Sequence, residues 1–569
     1  MLSLLKLTRM KGKIIGVLFV CASFALDATG QSANAPLNSD YYRLLQRYEL
    51  KQGRFSHSFH SAVKPFQREK IAQFLDSLPT SGFNGRDFFN LDYLSNDNWE
   101  YMDSADYLSD RPVFNAFFRA KSDFYHVRTS NFDLHLNPVL YLSAGRESDD
   151  ETMLYQNTRG LEARGMIGGK IGFYSYIGEN QAAYPSYVRG WIREKTVVPN
   201  EGFWKDFKKN GVDFLAARGY ISVDVIKEIN AQFGYDKMFI GDGYRSMILS
   251  DFSNSYLFLK LNTHVWRLNY TNLFTRLTAQ ALGTATGSSA TSRYPVKYMN
   301  LHHLSMNITD HFNVGLFEAV VFGTPDSTGV QRYDVAYLNP IILYRAMEHQ
   351  NGSVDNAIVG ADFRWIVARN YMLYGQLILD EFLLNEVKNR TGWWANKYGM
   401  QLGFKNVDFL GIPNLDIQLE TNEARPYTYG HSDYYTNYAH YNQPLAHPLG
   451  ANFREYIAIA NYQPFDKLWL EAKAIQMTYG ADTASSNWGG NIMLPYTTRE
   501  KEYGNKLGQG VKTKILSLGL SASYQAAHNL FLEFAYQTRD FDHAINGNAR
   551  ASTAQLSLRW NAPAKRFDF

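Results

Sequence analysis

The sequence predicts an all-β fold: a transmembrane antiparallel β-barrel of about eighteen strands with a small N-terminal helical element on the periplasmic side. Three features lead there. They are a leader-like N-terminus, strand-length stretches that are apolar at every second residue, and connections that alternate between short and long. The chain has 569 residues, 57 Lys+Arg against 54 Asp+Glu, and 15% aromatic residues. Its mean hydropathy is -0.33, which excludes a bundle of apolar membrane helices. The balanced charge implies no nucleic-acid partner.

Residues 1–35 read as a secretory signal peptide. Lys6, Arg9, Lys11 and Lys13 precede an apolar run from Ile14 to Leu26, followed by small residues that offer cleavage sites. Cys21 lies in that run, so the mature chain is expected to lack cysteine and disulfides. Residues 36–131 form the next region. Within it, 39–52 and 64–78 carry helical spacing, with Phe66, Ile71, Phe74, Leu75 and Leu78 on one face and Pro79 ending the second helix. The stretch 113–126 is strand-like but would break an even strand count, so it is placed with the periplasmic region.

The barrel is expected over 132–562, with 563–569 as a C-terminal tail. Leu516, Leu518 and Leu520 alternate with Ser517, Gly519 and Ser521, and Leu530, Leu532 and Phe534 alternate with Phe531, Glu533 and Ala535. Leu415, Ile417 and Leu419 likewise alternate with Asp416, Gln418 and Glu420. One face of such a strand meets lipid and the other a wet lumen. Short turns are expected at 309–312, 368–371, 408–413, 463–466 and 526–529, with further divisions at Thr263-His264 and Gly168-Gly169. Long loops are expected at 281–296, 323–357, 383–395, 424–452, 480–512 and 541–550. Outer-membrane barrels have short periplasmic turns and long outer loops, so both chain ends should be periplasmic. The aromatic excess then belongs largely to interfacial belts.

The segment from Phe239 to Asp251 (FIGDGYRSMILSD) resembles a G-x-G…S-x-x-x-S-[DN] stretch of the Wzi capsule-assembly family. AYLNPIILYRAME (336–348), LYGQLILDEF (373–382) and the Tyr/His-rich stretch 420–453 are similar in kind. The HSFHSAVKPFQR opening near residue 60 is in the style of the Bacteroidetes branch, which includes the gliding-motility protein RemB. The resemblance spans roughly 55–560. It implies an eighteen-stranded outer-membrane barrel with a periplasmic helical element that holds capsular or other exopolysaccharide, without catalysis. The motif residues on this chain are Gly241, Gly243, Ser246, Ser250 and Asp251.

Candidate polysaccharide-binding residues are Tyr427, Tyr429, Tyr434, Tyr435, Tyr438 and Tyr441 of the 424–452 loop, with Trp393 and Trp394 of another. Ring faces interleaved with hydrogen-bonding groups suit a sugar's C–H faces and hydroxyl rim; the alternative is that the rings pack on one another over the barrel mouth, or that the tryptophans anchor at the interface. Asp380, Asp416, Glu420, Glu533, Arg539 and Arg559 are expected to face the lumen, as are Lys260, Arg267, Asp362 and Arg364. Mixed signs favour a cross-lumen network over an open pore. GDGYRS lacks the Lys-Ser/Thr ending of a phosphate loop and reads as a tight turn at the rim. Adjacent His302 and His303 point to opposite faces and cannot share a metal. No cofactor, metal site or Ser-His-Asp constellation is expected. The expected partners are outer-membrane lipid, surface polysaccharide and either polysaccharide-export or gliding machinery. The alternatives to polysaccharide attachment are a role in gliding motility and a diffusion channel.

Overall fold

The computed structural model describes residues 32–37, 40–102, 106–280, 294–323, 332–341, 344 and 355–569. The expected signal peptide lies outside them as far as residue 31.

Eighteen long strands close into one antiparallel barrel. They are β1 (Phe132–Glu147), β2 (Asp150–Ile167), β3 (Ile171–Ala183), β4 (Gly211–Ile226), β5 (Ile229–Asp236) and β6 (Tyr256–Val265). Next come β7 (Leu268–Thr278), β8 (Val296–Asn307), β9 (Phe312–Phe322), β10 (Asn356–Ala368), β11 (Tyr371–Glu381) and β12 (Lys397–Asn406). The last six are β13 (Leu415–Ala424), β14 (Phe453–Phe465), β15 (Leu468–Ala481), β16 (Val511–Ala527), β17 (Leu530–His543) and β18 (Gly547–Trp560).

Closure pairs β18 with the second half of β1, from Trp560↔Leu140 to Thr553↔Glu147. The short strand Tyr125–Arg128 pairs with the first half of β1. The strand-like 113–126 stretch therefore ends by completing the seam, and no nineteenth spanning strand is needed.

One end of the barrel carries only brief connections, at 168–170, 227–228, 266–267, 308–311, 369–370, 407–414, 466–467 and 528–529. Gly168 and Gly169 both have left-handed φ (61° and 67°), the backbone a tight hairpin demands. Two turn expectations and one lumen expectation need correction. The β6–β7 turn lies at Trp266-Arg267, because the ladder continues to Val265↔Leu268. Arg267 therefore sits in an exposed turn beside Asp310, 3.7 Å away, and not in the lumen. The expected 541–550 loop is a tight hairpin, since β17 and β18 stay paired to His543↔Gly547.

The alternation holds where lipid demands it. Leu516, Leu518, Leu520, Leu532, Phe534 and Leu556 are all exposed on the outer wall. Their strand neighbours Ile515, Ser517, Phe531 and Arg559 are buried on the inner one.

The lumen is occupied by three pieces of the chain. The first is the helical head, α1 (Tyr41–Gln52), α2 (Arg68–Asp76) and α3 (Gly85–Asp97), built around Leu44, Leu45, Tyr48, Phe59, Ile71, Phe74 and Leu94. It docks at the short-turn end. Arg47 reaches Asp87 (3.1 Å), Asp408 (2.5 Å) and Asp416, Arg86 donates to the Gln463 carbonyl (2.7 Å), and Tyr93 to Asn529 (2.6 Å). The third helix went unread in the sequence. Its start is a capping box, in which Asn84 accepts from Asp87 N and the Asp87 carboxylate accepts from Asn84 N.

The second piece is the β5–β6 connection, 237–255, which folds inward from the wall. The third is the tail after β18. Asp568 pairs with Lys473 (2.6 Å), and Phe569 packs on Trp191 and Phe252, beneath the helix α4 (Ser186–Lys195) of the β3–β4 connection. The terminal Phe569, which looks like a barrel's closing aromatic, is thus drawn inside the barrel. A cavity of about 570 Å³ remains among these pieces.

Candidate functional site

At the long-loop end, the β11–β12, β13–β14 and β15–β16 connections (382–396, 425–452 and 482–510) knit into one cap. Trp394 N donates to the Glu502 carbonyl (2.9 Å), Gly504 N to Thr391 O (2.9 Å) and Asn505 N to Gly392 O (2.8 Å). Tyr427 is held at both ends by the third loop, its N donating to Gly489 O (2.9 Å) and its hydroxyl to Asn487 O (2.9 Å). The Asp482 carboxylate gathers the amides of Gly490 (3.1 Å), Asn491 (2.6 Å) and Trp488. Loops of this length keep a shape only when their backbone groups find such partners.

The cap has two faces. On the inner one, Tyr429 donates to Met247 O (2.7 Å) and Tyr438 to Ile248 O (2.8 Å), with their rings stacked 5.7 Å apart. Tyr427, Tyr429 and Tyr438 are all buried. This narrows the sequence reading: these three rings hold the cap together and down onto the lumen segment, and offer no surface to a ligand. Buried histidines do the same work. His440 accepts from Thr278 N (2.9 Å) while its other nitrogen lies 3.1 Å from the Ser255 carbonyl, and His447 meets Glu455 at 2.7 Å. Burial pushes His431 and His440 down to about 4.

On the outer face, Tyr434 is exposed and lies against half-buried Tyr435 with ring centroids 4.3 Å apart. The Asp433 carboxylate fixes this pair by accepting from Tyr435 N (2.8 Å) and Thr436 N (3.0 Å). Trp393 and Trp394 are half-buried. Trp394 packs on Tyr496 (4.7 Å), with the Arg499 guanidinium 4.3 Å above it. Lys501 sits 5.3 Å over Trp488, and Tyr503 is 57% exposed. Tyr441 is half-buried against Tyr294 (5.7 Å), apart from this group. Tyr496, Arg499, Lys501 and Tyr503 were not singled out in the sequence, although TTREKEY (497–503) interleaves charge and aromatic in the manner that marks them.

Below the cap, the 239–251 motif is a lumen segment and not a rim turn. Glu420 accepts from Tyr244 N (2.7 Å), Arg245 N (3.0 Å) and the Tyr374 hydroxyl (2.7 Å). Gln376 accepts from Met247 N (2.7 Å) and donates to Ile240 O (3.0 Å). Ser246 bridges Ile240 O (2.5 Å) and Ile248 N (3.1 Å), and Ser250 reaches Ala446 O (2.5 Å). Gly241 has φ 132°. The half-buried Asp251 ends the stretch and its carbonyl accepts from Lys237 (3.3 Å). Gly243 lies where an added Cβ would strike Glu420. The motif is a folding device that reaches across the lumen.

Most of the inward charges are paired, while Lys260 is buried with no ion pair among the described residues. Asp380 meets Lys397 (2.9 Å) and accepts from Tyr429 N (2.9 Å); Glu533 meets Arg559 (2.9 Å). Asp416 takes Arg47 from the head, and Arg539 lies 4.6 Å over the Tyr187 ring and donates to the Phe569 carbonyl. Arg364 meets Glu49 of α1 (2.8 Å) and Asp362 meets His303 (2.6 Å). Among the described residues, no three His, Cys, Asp or Glu side chains gather as a metal-holding set.

No family model matches the chain, and no curated protein matches it. Among solved structures, one match is Wzi, described as an outer membrane protein involved in group 1 capsule assembly in Escherichia coli and a carbohydrate-binding β-barrel. It aligns with 94% of this chain and 100% of its own, at TM-score 0.56 and 10% identity. The chain is similar in fold to that barrel. Pseudomonas aeruginosa OprD aligns with 75% of this chain and 94% of its own, at TM-score 0.40 and 11% identity. Pseudomonas aeruginosa OccK2, solved with glucuronate, aligns with 75% and 97%, at TM-score 0.40 and 9% identity. The fold shared with Wzi is a closed antiparallel β-barrel.

Proposed function

We propose that the protein sits in the outer membrane with its cap outward and attaches surface polysaccharide there as a non-catalytic, lectin-like anchor. The observation that carries this reading is the outer face of the cap. Tyr434 and Tyr503 are exposed and Tyr435 and Trp393 half-buried on the same cap in which the Arg499 and Lys501 cations lie over Trp394 and Trp488. Rings held on a braced scaffold bind sugar C–H faces without first paying to order a loop. The neighbouring cations suit acidic sugar units. The likeness in fold to a barrel described as carbohydrate binding supports the same reading.

The filled lumen argues against free diffusion through the barrel, since head, inward segment and tail all occupy it. The test is retention. A strain lacking the gene, complemented with wild type or with Tyr434→Ala/Tyr435→Ala, is assayed for cell-bound and shed polysaccharide. The expected result is shedding in the deletion and partial shedding in the variant at equal barrel abundance. Full retention in the deletion, with surface spreading lost instead, would replace this reading with the motility role.

A further inference from the structure

The β9–β10 connection does not simply project beyond the barrel. Its described residues, 332–341 and 344, lie against the outside of the wall, over β7, β8 and β9. The register shows which face they cover. Lys297, Met299, Leu301, His303 and Ser305 of β8 point inward, with Lys297 donating to Asn437 O (2.7 Å) and His303 meeting Asp362. Asn300 and His302, between them, therefore point outward. Asn272, His302 and Glu318 are direct cross-strand partners in one outward row. All three are buried, as is Asn300, while Leu316, two residues from Glu318 on the same face, is 51% exposed.

What buries them is the connection. Asn300 donates to the Tyr337 carbonyl (2.7 Å) and the Tyr333 hydroxyl (2.7 Å). Glu318 accepts from Tyr344 N (2.7 Å), and the Tyr344 hydroxyl lies 2.5 Å from His302 Nε2. Tyr270, lower on β7, donates to the Pro340 carbonyl (2.6 Å). Val320, Phe322, Tyr337 and Tyr344 form a small apolar cluster of their own, separate from the lumen's.

Depth gives this arrangement its meaning. Trp266 (72% exposed) and Trp365 (45%) mark the short-turn end as an interfacial belt. His302 stands five residues above the end of β8, or about 13 Å at the usual strand rise and tilt, inside an apolar band about 25 Å tall. At that depth outward polar side chains and irregular backbone are each intolerable alone. Here the connection gives Asn300, His302 and Glu318 a partner each. The side presented outward is led by apolar residues: Val335 is 73%, Leu338 48% and Ile341 64% exposed, and Pro340 has no N–H to leave unpaired. Exposed Asn339 turns its Oδ1 to Ile341 N (3.0 Å), and exposed Arg332 lies at the edge.

We propose that this connection is a lipid-docked strap, seated in the hydrocarbon of the bilayer with Val335, Leu338 and Ile341 among acyl chains. The conspicuous AYLNPI stretch (336–341) is then a membrane-contact element, and the Asn300–His302–Glu318 group is its polar bed. The strap stands independently of polysaccharide attachment.

The only cysteine, Cys21, lies within the expected signal peptide, so single-cysteine labelling is direct. A nitroxide is attached at Leu338→Cys in protein reconstituted in phosphatidylcholine vesicles, with Leu316→Cys as the lipid-facing reference and Ile545→Cys as the aqueous one. Collision rates with oxygen and with a water-soluble nickel chelate are measured. The proposal expects Leu338→Cys to match Leu316→Cys, oxygen-accessible and shielded from nickel. Nickel access equal to that at Ile545→Cys overturns it, and so does shielding from both reagents, which would mean a protein partner. Adding Asn300→Leu and Glu318→Leu to the labelled protein should shift the label toward nickel access by several-fold while the barrel keeps its heat-modifiable migration. An unchanged label in that folded variant would remove the polar bed from the account.

Discussion

The tyrosines of the cap divide by where their hydroxyls end. Tyr429 and Tyr438 each give a buried hydrogen bond to a carbonyl of the lumen segment. Replacing either with Phe strands that carbonyl and should cost about 1–2 kcal/mol, visible as a lowered unfolding temperature. Tyr434→Ala and Tyr435→Ala should lower that temperature much less, because one ring is exposed and the other only half-buried. An equal loss of stability at all four positions would contradict this division. The cap histidines add a pH dependence. His431 and His440 are pushed down to about 4 by burial, and His447 is also lowered by burial although Glu455 beside it pulls the other way. They stay neutral when folded, whereas the unfolded chain takes up protons below about pH 6.5. Stability is therefore complete above that pH and falls as the solution is acidified toward pH 4. Histidine ring NMR should show His431 and His440 without titration between pH 7 and 5; midpoints near 6.5 would show them to be solvent-open. None of this division could be read from composition, since an inward and an outward tyrosine have the same letter.

Among the elements, those with local causes were legible and those with distant ones were not. Period two in β16, β17 and β18 was plain because lipid enforces it on every second residue. The Gly168-Gly169 turn was plain because two left-handed residues in succession call for glycine. The destination of GDGYRS was hidden, because its partner Glu420 lies 176 residues from Tyr244. The β9–β10 connection was read as a free outer loop for the same reason: the polar bed that holds it is on three other strands. The helical head tests this element-level account. Arg47 is buried and faces Asp87, Asp408 and Asp416 at once. Arg47→Ala leaves Asp416 without its cation and Asp87 and Asp408 with Lys51 alone, at a cost of about 3–5 kcal/mol, and should loosen the head from the short-turn end. Faster proteolysis or hydrogen exchange confined to 40–102 is the expected readout, and exchange unchanged from wild type would show the head to be held by its apolar core alone.

At the scale of the whole molecule, a chain polar on average and 15% aromatic resolves into a wall, a filling and a cap. The wall needs apolar residues only on its outer side. The inner side of the wall supplies the mixed charges that the sequence placed in the lumen, and these pair with the filling as well as with one another. In planar bilayers the protein should therefore show no large steady conductance, and an open current of porin size would mean that the filling is displaced in the membrane. The cap is a braced surface that carries aromatic rings and cations together, and the proposed attachment of polysaccharide rests on it. Direct binding tests that claim. Surface polysaccharide from the producing strain is titrated into purified wild-type protein and into Tyr434→Ala/Tyr435→Ala/Trp393→Ala. The account predicts saturable binding by wild type and at least tenfold weaker binding by the variant at little-changed unfolding temperature. Equal binding by the two proteins would contradict it.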